Sequence, residues 1–359
     1  METGKGLEDL RRELDCLDDK IVDLLNQRAD LSRAVGELKR RAGDVPVYQP
    51  HREAQIYARL EEINRGPLAN ENIRAIYREI LSASRALQRP VRVGYLGPAA
   101  SFSYEAARKQ FGSNADLVPC RTIADVFRET ELGHLNYGIV PIENSTEGAV
   151  TSTFDRLVET DLKICAELEL PISDFLLSNG TLDQITEVYS HPQALGQCRR
   201  WLAENLPRAV QIEVASTALA AQQARAKNAA AIATESASAL YDLPILVAHI
   251  EDVASNATRF FVIGVEGSHS SGDDQTAVMF TVKHHTGALF EALRCFAESG
   301  INLGRIESRP SRRKRWEYLF FVDLDGHPEN PTVKAALDRL AAAASTVKVL
   351  GSWPRAVSR

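Results

Sequence analysis

The chain has 359 residues, a formal net charge of −6, 44% hydrophobic residues and 25% charged residues. At roughly 100–200 residues per domain, this length predicts two or three globular domains. The acidic balance disfavours nucleic acid and anionic membranes as partners, and no apolar run approaches the ~20 residues of a membrane span. Isolated cysteines without a C-x-x-C pair, and a polar N-terminus without a signal-peptide core, predict a cytoplasmic protein with no metal site.

The first 89 residues predict an all-helical, dimeric domain. A seven-residue apolar repeat begins near the N-terminus, and its members are Leu7, Leu10, Leu14, Leu17, Ile21, Leu24, Leu31, Val35 and Leu38. A helix of about 35 residues would be ~50 Å long, so its apolar stripe needs a partner to cover it. Two shorter helices are predicted over about 50–64 and 70–88, and Pro90 ends the segment.

Charged side chains interrupt the apolar stripe of the first helix. Arg28 occupies a stripe position, and Lys39 projects to the same side of the helix. Arg11 points about 100° away from Arg28, toward a surface that could belong to a partner chain's site. Two interpretations stay open: a buried cavity of cations for a dianionic ligand, or solvated charges and inter-helix ion pairs. Further polar candidates on the later helices are Arg52, Glu53, Ser84 and Gln88.

The pattern L-R-x-x-L-D-x-L-D-x-x-I-x-x-L-L-x-x-R, followed by V-G-x-x-K, resembles the AroQ-class chorismate mutases of bacterial P-proteins over residues 7–88. The resemblance implies an intertwined helical dimer in which Arg11 reaches into the other subunit's site. It implies that Arg28 and Arg52 hold the two carboxylates of chorismate. Gln49 stands where these proteins usually have Asp. The implied substrate-binding residues are Arg11, Arg28, Lys39, Gln49, Arg52, Glu53, Ser84 and Gln88, of which Lys39, Gln88 and Glu53 are implied to be catalytic.

From residue 91 to about 265, short β-branched runs alternate with helical stretches, which predicts βαβ units on a largely parallel sheet and two lobes with a cleft between them. The strand candidates are Val91–Leu96, Asp116–Pro119, Tyr137–Pro141, Glu187–Tyr189, Val210–Ala215, Ala229–Ala233 and Arg259–Gly264. Several of these strands run into small polar residues. One such residue by itself favours a helix cap, whereas the repetition within one domain favours a carboxylate-binding cleft at the strand ends.

The motifs G-P-x-x-S-F-S, P-I-E-N-S-x-x-G, S-H-P-Q-x-L-x-Q-C and N-x-T-R-F resemble prephenate dehydratases over residues 91–265. The resemblance implies a two-lobed fold like a type 2 periplasmic binding protein, with no cofactor. It implies that Thr258 is catalytic and acts as a general acid or hydrogen-bond donor to the departing ring hydroxyl. Ala100 stands where the family usually has Gly. The implied substrate-binding residues are Ser101, Glu143, Asn144, Ser145, Thr153, Ser190, His191, Gln197, Asn256, Thr258, Arg259 and Phe260.

A polar linker at 266–275 precedes a predicted β-α-β-β-α-β order, which is typical of a ferredoxin-like unit. Its motifs resemble the phenylalanine-binding motifs of ACT domains in dehydratases, with Gly304 in place of the usual Thr. The resemblance implies feedback inhibition by phenylalanine bound between two such domains. The basic run at 312–315 is predicted to be a solvated hairpin tip. The implied effector-binding residues are Gly287, Ala288, Leu289, Asn302, Leu303, Glu307, Ser308, Arg309 and Pro310.

Together these resemblances imply a multidomain α plus α/β enzyme of phenylalanine biosynthesis, both isomerase and lyase, acting as a homodimer or a dimer of dimers. The expected domains are a mutase at 1–89, a dehydratase at 90–266 and a regulatory domain at 276–353. Two alternatives stay open: a dehydratase whose degenerate mutase domain is kept for dimerisation, and a solute-binding or transcription-regulating module on the same two-lobed fold. A fused prephenate dehydrogenase is disfavoured because no dinucleotide-binding fingerprint is present.

Overall fold

The computed structural model describes residues 5–43, 45–283, 285–311 and 317–355. The chain divides into two compact units. The first comprises Met1–Gln49, Tyr57–Val91 and Phe111–Asp116, and the second comprises Pro50–Ile56, Arg92–Gln110 and Leu117–Arg359. Within the described ranges, every helix is too short or too polar to cross a bilayer.

Three helices make up the N-terminal segment: α1 at Leu7–Arg41, α2 at Pro50–Ile63 and α3 at Asn70–Gln88. These bounds confirm the predicted helices closely. Helix α1 packs along α3, and a side chain at Gly36 would come within 2.9 Å of Gln88 Cγ. Glycine at this position therefore lets the two helices approach each other.

The second unit contains two lobes and a C-terminal domain built from helices and strands. The helices are α4 at Phe102–Phe111, α5 at Ile123–Glu131, α6 at Thr151–Glu159, α7 at Pro192–Gln197, α8 at Arg199–Asn205, α9 at Thr217–Gln223, α10 at Glu235–Tyr241, α11 at Ala288–Ala297 and α12 at Pro331–Ala343. The strands are β1 at Arg92–Leu96, β2 at Asp116–Cys120, β3 at Tyr137–Asn144, β4 at Gly148–Ala149, β5 at Lys163–Pro171, β6 at Phe175–Leu177, β7 at Glu187–Ser190, β8 at Val210–Glu213, β9 at Ala229–Ala233, β10 at Ile245–Val247, β11 at Ala257–Gly264, β12 at Asp274–Thr281, β13 at Leu303–Pro310, β14 at Tyr318–Asp325 and β15 at Thr346–Pro354.

The two lobes confirm the predicted two-lobed architecture. The first lobe orders its strands β5-β11-β3-β1-β2, and the second orders them β10-β6-β9-β7-β8. The chain passes between the lobes twice, once between β5 and β6 and once between β10 and β11. Ile172 in the first crossing donates its backbone N–H to the Asn256 carbonyl in the second at 2.8 Å, so the two crossings lie side by side.

The expectation of a largely parallel sheet is wrong. Strand β11 runs antiparallel to both β3 and β5, and β6 runs antiparallel to β9, so both sheets are mixed. The prediction also omitted β5, because K-I-C-A-E-L-E-L-P alternates charged with apolar residues instead of showing a β-branched run. Strand β11 returns from the other lobe instead of following a helix packed on the same sheet, so the βαβ rule does not set its direction.

The C-terminal domain has the predicted β-α-β-β-α-β order, formed by β12, α11, β13, β14, α12 and β15. Both helices cover one face of its sheet, and their apolar side chains share a core that includes Phe280, Phe296 and Leu340. The basic run at 312–315, predicted as a hairpin tip, lies outside the described residues.

The sheet of the C-terminal domain is continuous with that of the first lobe. Strand β15 pairs in parallel with β5 where Gly351 meets Ile164, which joins the strands of both domains into one ten-stranded sheet. A Cβ at Gly351 would lie 2.1 Å from the Ile164 carbonyl oxygen, and the Gly351 φ is 151°. The junction therefore requires a residue without a side chain.

We expect Gly351→Ala to lower the free energy of unfolding by about 2–3 kcal/mol, because the new methyl group collides with backbone atoms of β5. Gly300→Ala is the matched control. Its φ is 66°, but nothing lies within 4 Å of the added Cβ, so it should cost only about 1 kcal/mol. Chemical denaturation of both variants measures the difference; equal losses would contradict a close contact at the junction.

Candidate functional site

Arg28 and Ser84 meet in the first unit. Arg28 Nη1 donates a hydrogen bond to Ser84 Oγ, and Ser84 Oγ donates to the Ile80 carbonyl at 2.7 Å. Ser84 is buried, at 8% exposure. The structure therefore brings one predicted guanidinium and one predicted hydroxyl to the same point between α1 and α3. Ser84, a polar partner on the facing helix, thus explains why Arg28 can occupy a position of the apolar stripe.

Lys39 and Gln88 lie further along the same helix pair. Lys39 Nζ donates to the backbone carbonyls of Pro46 and Val47, at 2.8 Å and 3.4 Å. Gln88 Oε1 is buried and accepts no hydrogen bond from the described residues. An unpartnered polar atom inside a protein is costly, so this amide is suited to a polar ligand.

The other predicted mutase residues lie on α1 and at the start of α2. Arg11 is exposed and pairs with Glu8 at 2.7 Å. Gln49 is the N-cap of α2, and its side chain makes no capping hydrogen bond. Arg52 and Glu53 occupy the first turn of α2, in the second unit. Their convergence with Arg28 stays a prediction.

Thr258 lies in β11, directly opposite Asn144 of β3. Asn144 Nδ2 donates to Thr258 Oγ1 at 2.9 Å and to Asn256 Oδ1 at 3.0 Å. Asn144 Oδ1 accepts the backbone N–H groups of Thr146 and Glu147, at 3.0 Å and 3.2 Å. Because a backbone N–H can only donate, these two bonds fix which end of the amide faces Thr258.

The Thr258 hydroxyl consequently has a spare proton. A threonine oxygen carries one O–H donor and two acceptor lone pairs. In the hydrogen bonds of the described residues, Thr258 Oγ1 acts only as the acceptor from Asn144. Thr258 is 9% exposed. Its O–H is therefore available to donate to a ligand, which is what the proposed chemistry needs.

Asn256 and Ser145 complete this cluster at the crossing between the lobes. Ser145 Oγ donates to Asn256 Oδ1 at 3.2 Å and accepts the Ala257 N–H at 3.0 Å. Asn256 Nδ2 is buried and has no hydrogen-bond partner in the described part of the chain. Four predicted residues, Asn144, Ser145, Asn256 and Thr258, therefore form one hydrogen-bonded group with an unused amide donor.

Several other predicted residues bond mainly to the backbone. Ser101 Oγ donates to the Leu96 carbonyl at 3.1 Å, Thr153 Oγ1 to Pro141 at 2.6 Å, and Ser190 Oγ to Ile232 at 2.7 Å. His191 caps α7 by accepting the Gln193 N–H. Phe260 is 1% exposed and packs in the interior. Ala100, where the family usually has Gly, adopts a left-handed φ of 60°, a conformation that glycine adopts without strain.

Arg259 is enclosed by acidic groups. Its Nη2 lies 2.5 Å from Glu167 Oε1, and its Nη1 lies 3.5 Å from Glu143 Oε2. Arg259 follows Thr258 in an extended strand, so the two side chains point to opposite faces. Glu167 was not among the predicted site residues, because strand β5 was not predicted; the signal that could have found it is an acidic residue between apolar neighbours.

A buried acidic pair, also absent from the prediction, lies beside α7 in the second lobe. The Asp174 side chain is 0% exposed, and its backbone N–H donates to Glu251 Oε2 at 2.9 Å. Burial, reinforced by the negative charge of Glu251 and opposed by the Cys198 thiol, raises the pKa of Asp174 to about 7. Nearby Gln197 has a buried Nε2 without a partner among the described residues.

In the C-terminal domain the two predicted effector motifs share one core. Gly287 caps α11 with a φ of 86°, and no atom lies within 4 Å of where a Cβ would stand. Leu289 and Leu303 pack against the same apolar cluster. Arg309 Nη1 donates to the Thr151 carbonyl at 2.9 Å. The predicted effector motif on β13 therefore contacts α6 of the first lobe.

Comparisons with known proteins agree with this geometry. The chain matches the families described as chorismate mutase type II over residues 10–89, prephenate dehydratase over 93–268 and ACT domain over 276–342. It is 44% identical to a bifunctional chorismate mutase/prephenate dehydratase of Aquifex aeolicus, covering 98% of each chain. A protein of the same description from Pseudomonas aeruginosa is 43% identical, again over 98% of both.

A solved structure gives the same result for the second unit. The prephenate dehydratase of Arthrobacter aurescens in complex with L-Phe is 33% identical, with a TM-score of 0.68, and the match covers 74% of this chain and 90% of that one. Two catalytic domains followed by a ligand-sensing domain define a multifunctional enzyme of aromatic amino acid biosynthesis. The chain belongs to the bifunctional chorismate mutase/prephenate dehydratase family, which confirms the resemblance inferred from its motifs.

The raised pKa of Asp174 predicts how the stability of the fold depends on pH. An unfolded Asp titrates near ~4, whereas Asp174 in the fold titrates at about 7. Between these values the folded chain binds more protons than the unfolded chain, so the free energy of unfolding falls as pH rises. Asp174→Asn should remove that fall.

The stability of Asp174→Asn relative to the native chain should therefore rise with pH by at most about 1.4 kcal/mol per pH unit, and level off above pH ~7. Denaturant unfolding between pH 5 and 8 measures this difference. Asp183→Asn is the control, because Asp183 is exposed and its pKa is lowered by the Thr181 hydroxyl. A pH-independent difference for Asp174→Asn would show that Asp174 is ionised throughout.

Proposed function

We propose that the two activities of this family are carried out here by the residues assembled above, with Arg28, Lys39 and Gln88 serving the mutase and Thr258 serving the dehydratase. The enzyme converts chorismate to prephenate and prephenate to phenylpyruvate. The observation that carries the residue assignment is the donor geometry of Thr258, whose oxygen accepts from Asn144 and leaves its proton free.

The mutase reaction is a pericyclic rearrangement that requires no nucleophile. The enzyme must hold the compact diaxial conformer of chorismate and stabilise negative charge on the ether oxygen as the C–O bond breaks. Arg28, anchored by Ser84, supplies a fixed cation for a carboxylate. Lys39 and the amide nitrogen of Gln88 supply hydrogen-bond donors for the ether oxygen, and Gln88 Oε1, which has no partner among the described residues, can accept a hydrogen bond from the ligand.

The dehydratase reaction removes CO2 and the ring hydroxyl together, and aromatisation drives it. The departing hydroxyl needs a proton or a strong hydrogen bond. Thr258 Oγ1–H supplies it, because Asn144 is locked in the orientation that donates to this oxygen. Asn256 Nδ2, which has no partner among the described side chains and backbone groups, is suited to bind a substrate carboxylate.

Thr258→Ala should abolish phenylpyruvate formation from prephenate while chorismate consumption continues at the native rate. Arg28→Met is the matched counterpart. It should lower chorismate consumption by roughly 10²-fold or more, by analogy with loss of one charge-stabilising donor, while dehydratase turnover is retained. Spectrophotometric assays with each substrate separate the two steps, and one preparation of each variant provides its own folding control.

Near-native dehydratase rates in Thr258→Ala would remove Thr258 from the mechanism. Native chorismate consumption in Arg28→Met would favour a different cation for the substrate carboxylate. If the native chain consumes no chorismate without added mutase, the N-terminal helices serve only for dimerisation, which was the alternative kept open from the sequence.

Dimerisation through α1 is part of the proposal. The apolar stripe of this helix is exposed along its length, with Leu14 at 59%, Ile21 at 52% and Leu31 at 69%. A contiguous apolar surface of this kind marks an interface, and the repeat suits a second copy of the same helix. The exposed Arg11 would then serve the partner's site.

The free state of all five cysteines supports a reducing cytoplasm.

Phenylalanine is the proposed effector of the C-terminal domain. The related dehydratase from Arthrobacter aurescens binds L-Phe, and the free N–H groups at the start of α11, next to Gly287, can receive an amino acid carboxylate. The Arg309 contact with α6 supports a link to the dehydratase lobe.

Leu17→Glu combined with Ile21→Glu should convert the protein from its native assembly to a smaller one, because two charges then lie in the apolar stripe of α1. Sedimentation equilibrium gives the mass, and mutase activity should fall with it since Arg11 no longer reaches a partner. Leu132→Glu is the control, an exposed leucine at 60% after α5. An unchanged mass for the double variant would contradict dimerisation through α1.

A further inference from the structure

The contact between the C-terminal domain and the dehydratase lobe contains a buried chain of charges. Arg305 of β13 donates to Asp323 of β14 through Nε and Nη2, at 2.7 Å and 3.0 Å. Asp323 Oδ2 lies 3.9 Å from Arg259 Nη2. The Arg305 and Asp323 side chains are 9% and 1% exposed. Two domains therefore share an alternating set of cations and anions.

Carboxylates outnumber guanidinium groups in this chain of charges. Arg259 faces Glu143, Glu167 and Asp323, whereas the second cation, Arg305, pairs with Asp323 alone. In a low-dielectric interior an uncompensated carboxylate attracts the nearest cation strongly. Arg305 occupies both oxygens of Asp323, which leaves Arg259 held by Glu143 and Glu167.

Aromatic groups keep this arrangement in place. The Arg305 guanidinium lies over the rings of Phe154 and Phe261, at 5.1 Å and 5.8 Å. Trp353 Nε1 donates to the second oxygen of Glu167 at 2.9 Å. Two partners of Arg259, Asp323 and Glu167, are thus themselves held by another group. Removing one charge should shift the others, because Arg305, Asp323 and Glu167 are at most 9% exposed and solvent cannot replace a lost partner.

Arg259 in turn connects the strands that carry the dehydratase site. Glu143 lies in β3 beside Asn144, Glu167 lies in β5, and Arg259 itself follows Thr258 in β11. One guanidinium therefore ties three neighbouring strands together at the level of the Thr258–Asn144 hydrogen bond. A displacement of Arg259 toward Asp323 would loosen that tie.

We propose that Arg305 and Asp323 of the C-terminal domain are positioning residues for the dehydratase reaction: Arg305 neutralises Asp323, and Arg259 is thereby left to hold β3, β11 and β5 in the register that places Thr258 against Asn144. The proposal rests on the assignment of Thr258 as the proton donor. The C-terminal domain is accordingly a structural part of the dehydratase site as well as its sensor.

The test uses Arg305→Met, Asp323→Asn and the variant with both changes, in the full-length enzyme. Arg305→Met keeps the apolar stem over Phe154 and leaves Asp323 uncompensated, so dehydratase kcat should fall roughly tenfold with a smaller change in KM for prephenate. The double variant should recover most of the native kcat, because the uncompensated charge is gone. Asp323→Asn leaves Arg305 without its carboxylate, so it should also lower kcat, whereas the double variant should not.

Arg339→Met is the matched control. Arg339 pairs with Glu298 at 4.0 Å between α11 and α12 of the same domain, so its removal perturbs the domain without touching the strands of the first lobe. It should leave both activities near native values. Mutase turnover, measured on every preparation, reports whether the protein is folded.

A kcat within twofold of native in Arg305→Met would overturn the proposal. A double variant slower than both single variants would also overturn it, because additive losses are expected when each substitution only removes packing. If Arg305→Met does not fold, the comparison of Asp323→Asn with the double variant decides, since Asp323→Asn must then be the slower of the two. The Thr258→Ala assay is independent: if Thr258→Ala stays active while Arg305→Met is slow, the donor assignment fails and the charge coupling stands.

Discussion

The fixed orientation of the Asn144 amide is the constraint on which the proposed dehydratase site depends. Two backbone N–H groups, from Thr146 and Glu147, hold the oxygen end of this amide, so its nitrogen must face Asn256 and Thr258. A serine or alanine in its place could not join all four groups. The same side chain therefore connects the turn after β3, the crossing between the lobes and the strand of the proposed proton donor.

This arrangement explains why the site lies at a crossing between the lobes. Asn256 belongs to the second crossing, and its carbonyl accepts from Ile172 in the first. A change in the angle between the lobes would be taken up at these two segments, since hinge motions concentrate at element ends. A change at this segment would therefore reach Thr258 through Asn256 and Asn144, and Asn256 Nδ2 has no partner among the described residues.

The sequence was sufficient for the three N-terminal helices and the order of elements in the C-terminal domain, because both depend on local periodicity. The predicted cluster of Asn144, Ser145, Asn256 and Thr258 came from motifs far apart in the chain, and their proximity is a finding of the structure. Strand β5 was missed for lack of a β-branched run, although K-I-C-A-E-L-E-L-P has the period-two alternation of a half-buried strand. What the sequence could not show is the role of Glu167, whose partners Arg259 and Trp353 come from distant segments.

The buried charges between the two domains are likewise explained only by their partners on other strands. A buried carboxylate such as Asp323 is unfavourable by itself, and its presence in β14 is understandable only with Arg305 on the neighbouring strand. That strand, β13, also carries Arg309, whose guanidinium lies 5.7 Å from the Phe154 ring centre, the same ring that Arg305 covers. A ligand that displaced β13 would therefore act on both arginines together. Because β13 is the edge strand of the sheet, it is bonded to a neighbouring strand on one side only, and the two arginines add side-chain contacts to α6 and β14.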